Sequence, residues 1–161
     1  MPPSEPAPVV NVVIAGLGGQ GVLKASDILA AVAFSAGLDV KKSEIHGMSQ
    51  RGGSVSSDVR FGPRVYSPMV PAGSADFLVV LTASQIEVAR PVLRSGGVLI
   101  TPDLVDESRL ANRKSLNVAL LGALSAYLDF PESLWQAAIT QRLAEKLHAA
   151  NLQAFAIGRK P

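Results

Sequence analysis

Two glycine-rich stretches hold the residues whose types and spacing can do chemistry. The first, Gly16-Leu17-Gly18-Gly19-Gln20-Gly21, satisfies G-x-G-x-x-G. Without Cβ atoms the chain can turn tightly there and let a ligand reach its backbone, while a helix starting at such a turn offers free N–H groups and a partial positive charge to a phosphate. The same glycines also serve close packing of helix on strand or on another subunit, and both readings stay open. Gly18, at the centre of the turn, is expected to have a positive φ or a contact too close for a Cβ. The second stretch runs from Ser43 to Ser54, SEIHGMSQRGGS. It gathers Glu44, His46, Gln50 and Arg51 among Gly47, Gly52, Gly53 and Ser54, in a loop after a strand, where open α/β sheets place their ligands. A single loop histidine or arginine is ordinarily hydrogen-bonded or solvated; their concentration marks this loop. Arg51 is its only arginine or lysine and can fork onto a carboxylate or phosphate.

Neither stretch shows a catalytic residue. No serine sits in a G-x-S-x-G elbow, and no carboxylate pair brackets a pocket in a way the sequence displays. His46 and the distant His148 make no metal-ligand cluster. A dinucleotide site wants an acidic residue at the end of the second strand, about 20 residues beyond the glycines. Asp39 has the spacing but starts that strand, and Glu44 lies late, so NAD and FAD fit poorly.

The elements that must position these residues follow from periodicity. Val9–Ala15 (VVNVVIA) is a nearly continuous β-branched run, suited to a strand buried on both faces. Val22, Ala25, Leu29, Val32 and Ala36 repeat at helical spacing, with Gly37 placed to end the helix. Leu38–Ile45 reads as a second strand. Val55–Phe61 alternates as a half-exposed strand, with a Gly62-Pro63 turn and a hairpin return over Arg64–Ser67. Ala75–Leu81 is another buried strand. A helix is expected over Ser84–Ser95, kinked or cut at Pro91 and closed by Gly96-Gly97, then a short strand over Val98–Thr101. An apolar helix spans Asn117–Leu128, with Asn117 more naturally a cap than a catalyst. Asp129 as N-cap and Glu132 at N3 launch a final helix through about Leu147, with room to continue past Ala150. Together these give an α/β fold, a Rossmann-like three-layer α/β/α sandwich on a largely parallel sheet with one antiparallel hairpin. Residues 1–8, with four prolines, are expected to be a disordered lead-in to a single domain over 9–161.

Composition narrows the function classes. Of 161 residues 48% are hydrophobic and 17% charged, enough apolar content for a core and too little charge for a disordered chain. The absence of cysteine removes disulfides, thiolate nucleophiles and cysteine-ligated clusters. A net charge of +2, with Lys41-Lys42 and Arg113-Lys114 as short isolated pairs, leaves no nucleic-acid footprint. No apolar run is long enough to span a membrane, and the proline-rich, acidic start MPPSEPAPVV is unlike a signal peptide, so a cytoplasmic location is expected.

GLGGQG, then SEIHGMSQRGGSV, the stretch ending in YSPMV, ADFLVVL and the late helix beginning LNVALLGAL together resemble the gamma-type domain of the 2-oxoacid:ferredoxin oxidoreductases. The E-I-H-G-M-x-Q-R-G-G-S-V form is most similar to the small beta subunit of indolepyruvate ferredoxin oxidoreductase. The likeness covers about Val10–Gly158. It implies a non-catalytic subunit of a larger enzyme that decarboxylates a 2-oxoacid such as an arylpyruvate to an acyl-CoA. Thiamine diphosphate and iron–sulfur clusters would lie on a large partner subunit, ferredoxin would dock on the complex, and CoA would be co-substrate. Gly16–Gly21 and His46–Ser54 would face the partner or CoA. Lys24, Thr82-Ala83-Ser84 and the short stretch between Thr101 and Asn117 depart from the pattern. A free-standing nucleotide-binding module and a purely structural subunit remain the alternatives.

Overall fold

The computed structural model describes residues 8–46 and 53–160. The strands are β1 (Val10–Leu17), β2 (Asp39–His46), β3 (Ser54–Gly62), β4 (Ala75–Val80) and β5 (Leu93–Ile100); helix α1 (Val22–Ser35) follows β1, α2 (Ile86–Ala89) lies between β4 and β5, and α3 (Leu116–Ser125), α4 (Glu132–Arg142) and α5 (His148–Arg159) come after β5. They form one α/β sheet in the order β2-β3-β1-β4-β5. β1 pairs parallel with β4 and β4 with β5, whereas β3 runs antiparallel to both β1 and β2. The continuous apolar run of β1 follows from that place: it has a neighbour on each edge, and residues 12–16 are buried.

The two sheet faces are covered unequally. Val12, Ile14, Val59, Phe61 and Val79 pack beneath α1, α3, α4 and α5 in the main core. There the Trp135 and Phe155 rings stack with centroids 5.5 Å apart. The other face, with Val13, Ala15, Leu78 and Val80, is covered by the thinner layer of α2 and the stretch carrying Val70.

Several local expectations hold and several shift. Gly37 ends α1 at φ +87°, with its N–H on the Phe34 carbonyl and the Leu38 N–H on that of Ala33. The antiparallel hairpin is β2–β3, and Arg64–Ser67 forms no return strand. Pro63 has no N–H for a ladder, and the residues after it are held by side chains instead: Val65 N–H donates to Asp39 (2.8 Å) and Arg60 to the Ser67 carbonyl (2.7 Å). The helix expected over Ser84–Ser95 is confined to α2 and the 3-10 turns flanking it, Ala83–Gln85 and Arg90–Val92. Gly96-Gly97 do not close a helix. They lie inside the longer β5, at a break in register against β4, with Gly96 at φ +76°.

The proposed capping box is also absent. Pro131 is the N-cap of α4, with no side-chain hydrogen bond, because a proline there holds Phe130 out of the helical region and delays the start. The last helix is two helices, broken where Leu143 turns extended and His148 Nε2 donates to its carbonyl (2.8 Å). The break lets α4 pack on α1 and α5 on α3. The second contact is close because Gly122 and Gly158 face it: a Cβ on either would meet the backbone of the other helix, at the Phe155 and Ala119 carbonyl oxygens. Gly158→Ala is therefore expected to cost ~1–3 kcal/mol by overpacking, read as a thermal midpoint several degrees lower.

Asp58, buried on the thinner face, accepts the Val70 N–H (2.9 Å) and so pins the crossing between β3 and β4. Burial pushes its carboxyl above the ordinary value, against the opposing pull of the Val70 hydrogen bond and the Arg60 charge. The native state thus holds this proton to higher pH than the unfolded chain does. Its contribution is complete below the ordinary carboxylate range and is lost as pH rises through the raised value. Chemical denaturation from pH 4 upward is expected to show the protein losing stability relative to Asp58→Asn, which keeps an acceptor for Val70.

Candidate functional site

The first glycine stretch is the turn from β1 into α1. Gln20 closes it from both sides: its Oε1 accepts the Leu17 N–H (2.7 Å) and its own N–H donates to the Leu17 carbonyl (3.2 Å). The left-handed conformations fall on Gly19 (φ +87°) and Gly21 (φ +82°), so of the two alternatives for Gly18 the positive φ is not the one found. Gly18 instead donates its N–H to the Gly53 carbonyl (3.0 Å), joining the two glycine stretches. A Cβ on Gly16 would lie 2.9 Å from Gln20 Oε1 and 3.1 Å from Leu81 Cβ. Packing and conformation therefore each claim some of the glycines, while Gly18 and Gly19 are exposed at the crest of the turn.

The turn is a ridge between two clefts. On one side, a cleft of about 410 Å³ is lined by Gly19, Gly21, Leu81, Arg113, Lys114 and Asn117. Asn117 Nδ2 donates to the Gly21 carbonyl (3.1 Å) and its Oδ1 accepts the Val118 N–H (2.9 Å), so it ties the start of α3 to the start of α1. Two helices thus begin at this ridge. Neither has an acidic residue in its first turn, and Arg113 and Lys114 stand beside it, so the electrostatics favour an anion. On the other side, a cleft of about 270 Å³ includes Gly18, Lys24, His46 and Val55.

The second stretch reaches the ridge only in part among the described residues. His46, at the end of β2, lines the smaller cleft. Ser54, at the start of β3, donates its hydroxyl to Gln85 Oε1 (2.6 Å). Glu44 is drawn away onto Lys42 (3.5 Å), which also pairs with Asp27 of α1. Gly47, Gln50, Arg51 and Gly52 lie outside the described residues. The geometry also accounts for the poor fit to a dinucleotide: β3 lies between β2 and β1, so the end of β2 is one strand removed from the glycine turn. Asp39, at the far end of β2, is occupied by the Val65 N–H.

Sequence reasoning missed Arg113, Lys114 and Leu81. The basic pair reads as an isolated surface pair along the chain; its one signal is its place just before Asn117, at the start of an apolar helix. Among the described residues no group of three His, Asp or Glu is placed to hold a metal, and no helix is long and apolar enough to cross a membrane.

The model of the pyruvate ferredoxin/flavodoxin oxidoreductase family matches residues 11–107, which contain both glycine stretches. The chain belongs to this family. It is 36% identical to indolepyruvate oxidoreductase subunit IorB of Thermococcus kodakarensis, over 93% of this chain and 94% of that one. It is 34% identical to the subunit of the same name from Pyrococcus horikoshii, with the same coverage. Among solved structures it resembles the keto/oxoacid ferredoxin oxidoreductase gamma subunit from Geobacter sulfurreducens, with TM-score 0.78 and 24% identity over 92% of this chain and 95% of that one. It also resembles one region of the 2-oxoglutarate:ferredoxin oxidoreductase from Magnetococcus marinus, with TM-score 0.81 and 20% identity over 96% of this chain and 31% of that one. These two likenesses carry the fold.

The glycine geometry separates two substitutions. Gly21→Ala puts a Cβ on a left-handed residue and into Asn117 Nδ2, whereas at Gly19 the φ is also left-handed but the space is open. Thermal melts are expected to show Gly19→Ala costing ~1 kcal/mol and Gly21→Ala distinctly more, up to ~3 kcal/mol.

Proposed function

We propose that this chain is the small, non-catalytic subunit of a thiamine-dependent 2-oxoacid:ferredoxin oxidoreductase acting on an arylpyruvate such as indolepyruvate. The assembly converts the 2-oxoacid and CoA to acyl-CoA and CO2, and the two electrons released pass to ferredoxin. The observation that carries the reading is the ridge itself: two helix starts, Arg113 and Lys114 converge on a glycine turn, in a chain similar over nearly all its length to subunits of indolepyruvate oxidoreductases. The residues present do not fit the redox cofactors. The sequence has no cysteine to ligate a cluster and no G-D-G…N signature for thiamine diphosphate. Both are assigned to a large partner subunit, and no chemical step is assigned to a side chain of this chain.

What this chain supplies is surface and charge. The exposed backbone of Gly19, with Arg113, Lys114 and Arg51, presents donors and cations to the phosphates of CoA or to the oxoacid carboxylate. His46, Lys24 and Val55 line the adjoining cleft, which faces the partner in this reading, as do Gly53 and Ser54 beside it. A pyrophosphate gains from such a helix-start site whichever group donates, so the cations set how tightly CoA is held rather than how fast it reacts.

The purified chain is expected to be colourless and without turnover on arylpyruvates until the large subunit is added. In the assembled enzyme, replacing Arg113 and Lys114 together by alanine is expected to raise KM for CoA about tenfold with kcat little changed. Arg51→Lys, which keeps the charge but not the fork, is expected to weaken activity, and Arg51→Ala to weaken it further. Turnover by the chain alone, or tight NAD or FAD binding with no effect of CoA, would overturn the reading in favour of a free-standing nucleotide-binding module.

A further inference from the structure

Of the two edges of the sheet, one is interrupted and one is intact. At β5 the pairing with β4 breaks register beside Gly96-Gly97, an irregularity of the kind that blunts a sheet edge. β2 is the other edge among the described residues, with β3 as its ladder partner on one side. Its pairing with β3 is unbroken from Asp39 to His46. The outward N–H and C=O groups of such a strand are a template for a further strand. Apart from His46 at its end, the proposed function makes no use of it.

Each face of the sheet carries an exposed apolar side chain beside this edge. On the α1 face Phe34 is 75% exposed and, with Ala30, Val40, Lys42 and Arg142, lines a hollow of about 320 Å³. On the thinner face Ile45 is 46% exposed. Apolar side chains gathered at an open edge mark an interaction surface. The charges along β2 decide which strand fits it. A second copy of β2 can pair with the first antiparallel about a two-fold axis normal to the sheet, which keeps like faces together. Every such register brings one residue opposite itself, and the registers that pair most of the strand centre on Lys41, Lys42, Ser43 or Glu44. Three of the four set like charges face to face on the axis, which destabilises the pair. The register centred on Ser43 does not. It sets Lys42 opposite Glu44 at two symmetric places and lays the aliphatic stem of Lys41 over Ile45. Asp39, already bound to the Val65 N–H, stays outside the pairing. The lysines that bar the other registers therefore select this one.

We propose that β2 is the docking edge for a second copy of this chain, paired antiparallel about Ser43 so that the two sheets become one. The Phe34 hollow of each copy then lies beside the joint on the α1 face, and the two Ile45 side chains lie beside it on the other. This reading goes beyond the oxidoreductase assignment, and its test uses no activity.

The full chain is expected to sediment as a dimer that dissociates on dilution. Glu44→Lys, which sets a lysine against Lys42 of the second copy at both places, is expected to weaken the dimer about tenfold, with a smaller effect at high salt. Because the sequence has no cysteine, the register can be read directly by cross-linking. Under oxidised glutathione Ser43→Cys is expected to form a covalent dimer at least about tenfold faster than Lys41→Cys or Ile45→Cys, since only position 43 meets its own copy at disulfide distance. Should Glu44→Lys disturb the strand itself, the cross-linking rates carry the test alone. A chain that sediments as a monomer at every concentration overturns the proposal, because the edge would then be kept for a different partner. A dimer in which Lys41→Cys or Ile45→Cys cross-links as fast as Ser43→Cys overturns it as well, since the copies would then meet in another register or through another surface.

Discussion

The fold turns on how a strand with no free edge leaves the sheet. β1 is flanked by β3 and β4 and buried through its last turns, so its exit must satisfy every backbone group and reverse into α1 within four residues. Gln20 makes that possible by giving its amide oxygen to the Leu17 N–H, in the position a further strand residue would otherwise occupy. With that bond in place Gly19 and Gly21 take left-handed backbone, Gly18 reaches across to Gly53, and α1 starts beneath the sheet rather than beyond it. Asn117 then binds the Gly21 carbonyl, which fixes where α3 starts. The site is thus the consequence of one strand termination, and the polar groups that shape it are spoken for before any ligand arrives.

This explains which parts of the molecule were legible in the sequence. The buried strands and α1 carry their periodicity in their own residues, and the end of α1 at Gly37 rests on the one residue type that tolerates its φ. The expectations that shifted depend on partners remote in sequence. The return strand after Gly62-Pro63 gives way to bonds from Asp39 and Arg60, and the long final helix gives way to two because α1 and α3 offer separate seats. Gly96-Gly97 look like a helix end when only the local chain is considered, but they mark a bulge because β4 pulls β5 back toward Leu93. Around the clefts, the turn Gly16–Gly21 and His46 carry their own signal in the sequence, whereas Arg113 and Lys114 do not, since only the return of α3 to the glycine turn makes them neighbours of it.

The two ends of the sheet have opposite character, and the parallel strands are the reason. At the C-terminal ends of β1 and β4 the helices begin, so free N–H groups and cations collect there. At the other end α3 has finished, and the turn into α4 passes through Tyr127, Leu128, Asp129 and Phe130, whose apolar surfaces meet Phe61 and Phe77. Donors and cations therefore face one end of the sheet, and apolar side chains face the other.

The path from β5 to α3 is built from short turns. Here the path consists of three 3-10 turns, Pro102–Leu104, Glu107–Arg109 and Arg113–Ser115. Each is too short to hold itself together by helical propagation, and side chains take over: Asp106 accepts the Ser108 N–H and Asn112 that of Lys114. From α5, Gln153 accepts the Ala111 N–H (2.9 Å) and donates to the Arg109 carbonyl (3.2 Å), clamping the path at its midpoint. A connection held this way has little freedom in where it ends. It delivers Arg113 and Lys114 to the cleft beside Gly19 and Gly21 immediately before α3 begins, so a tightly clamped path, rather than a long side-chain reach, sets the cations against the glycine turn.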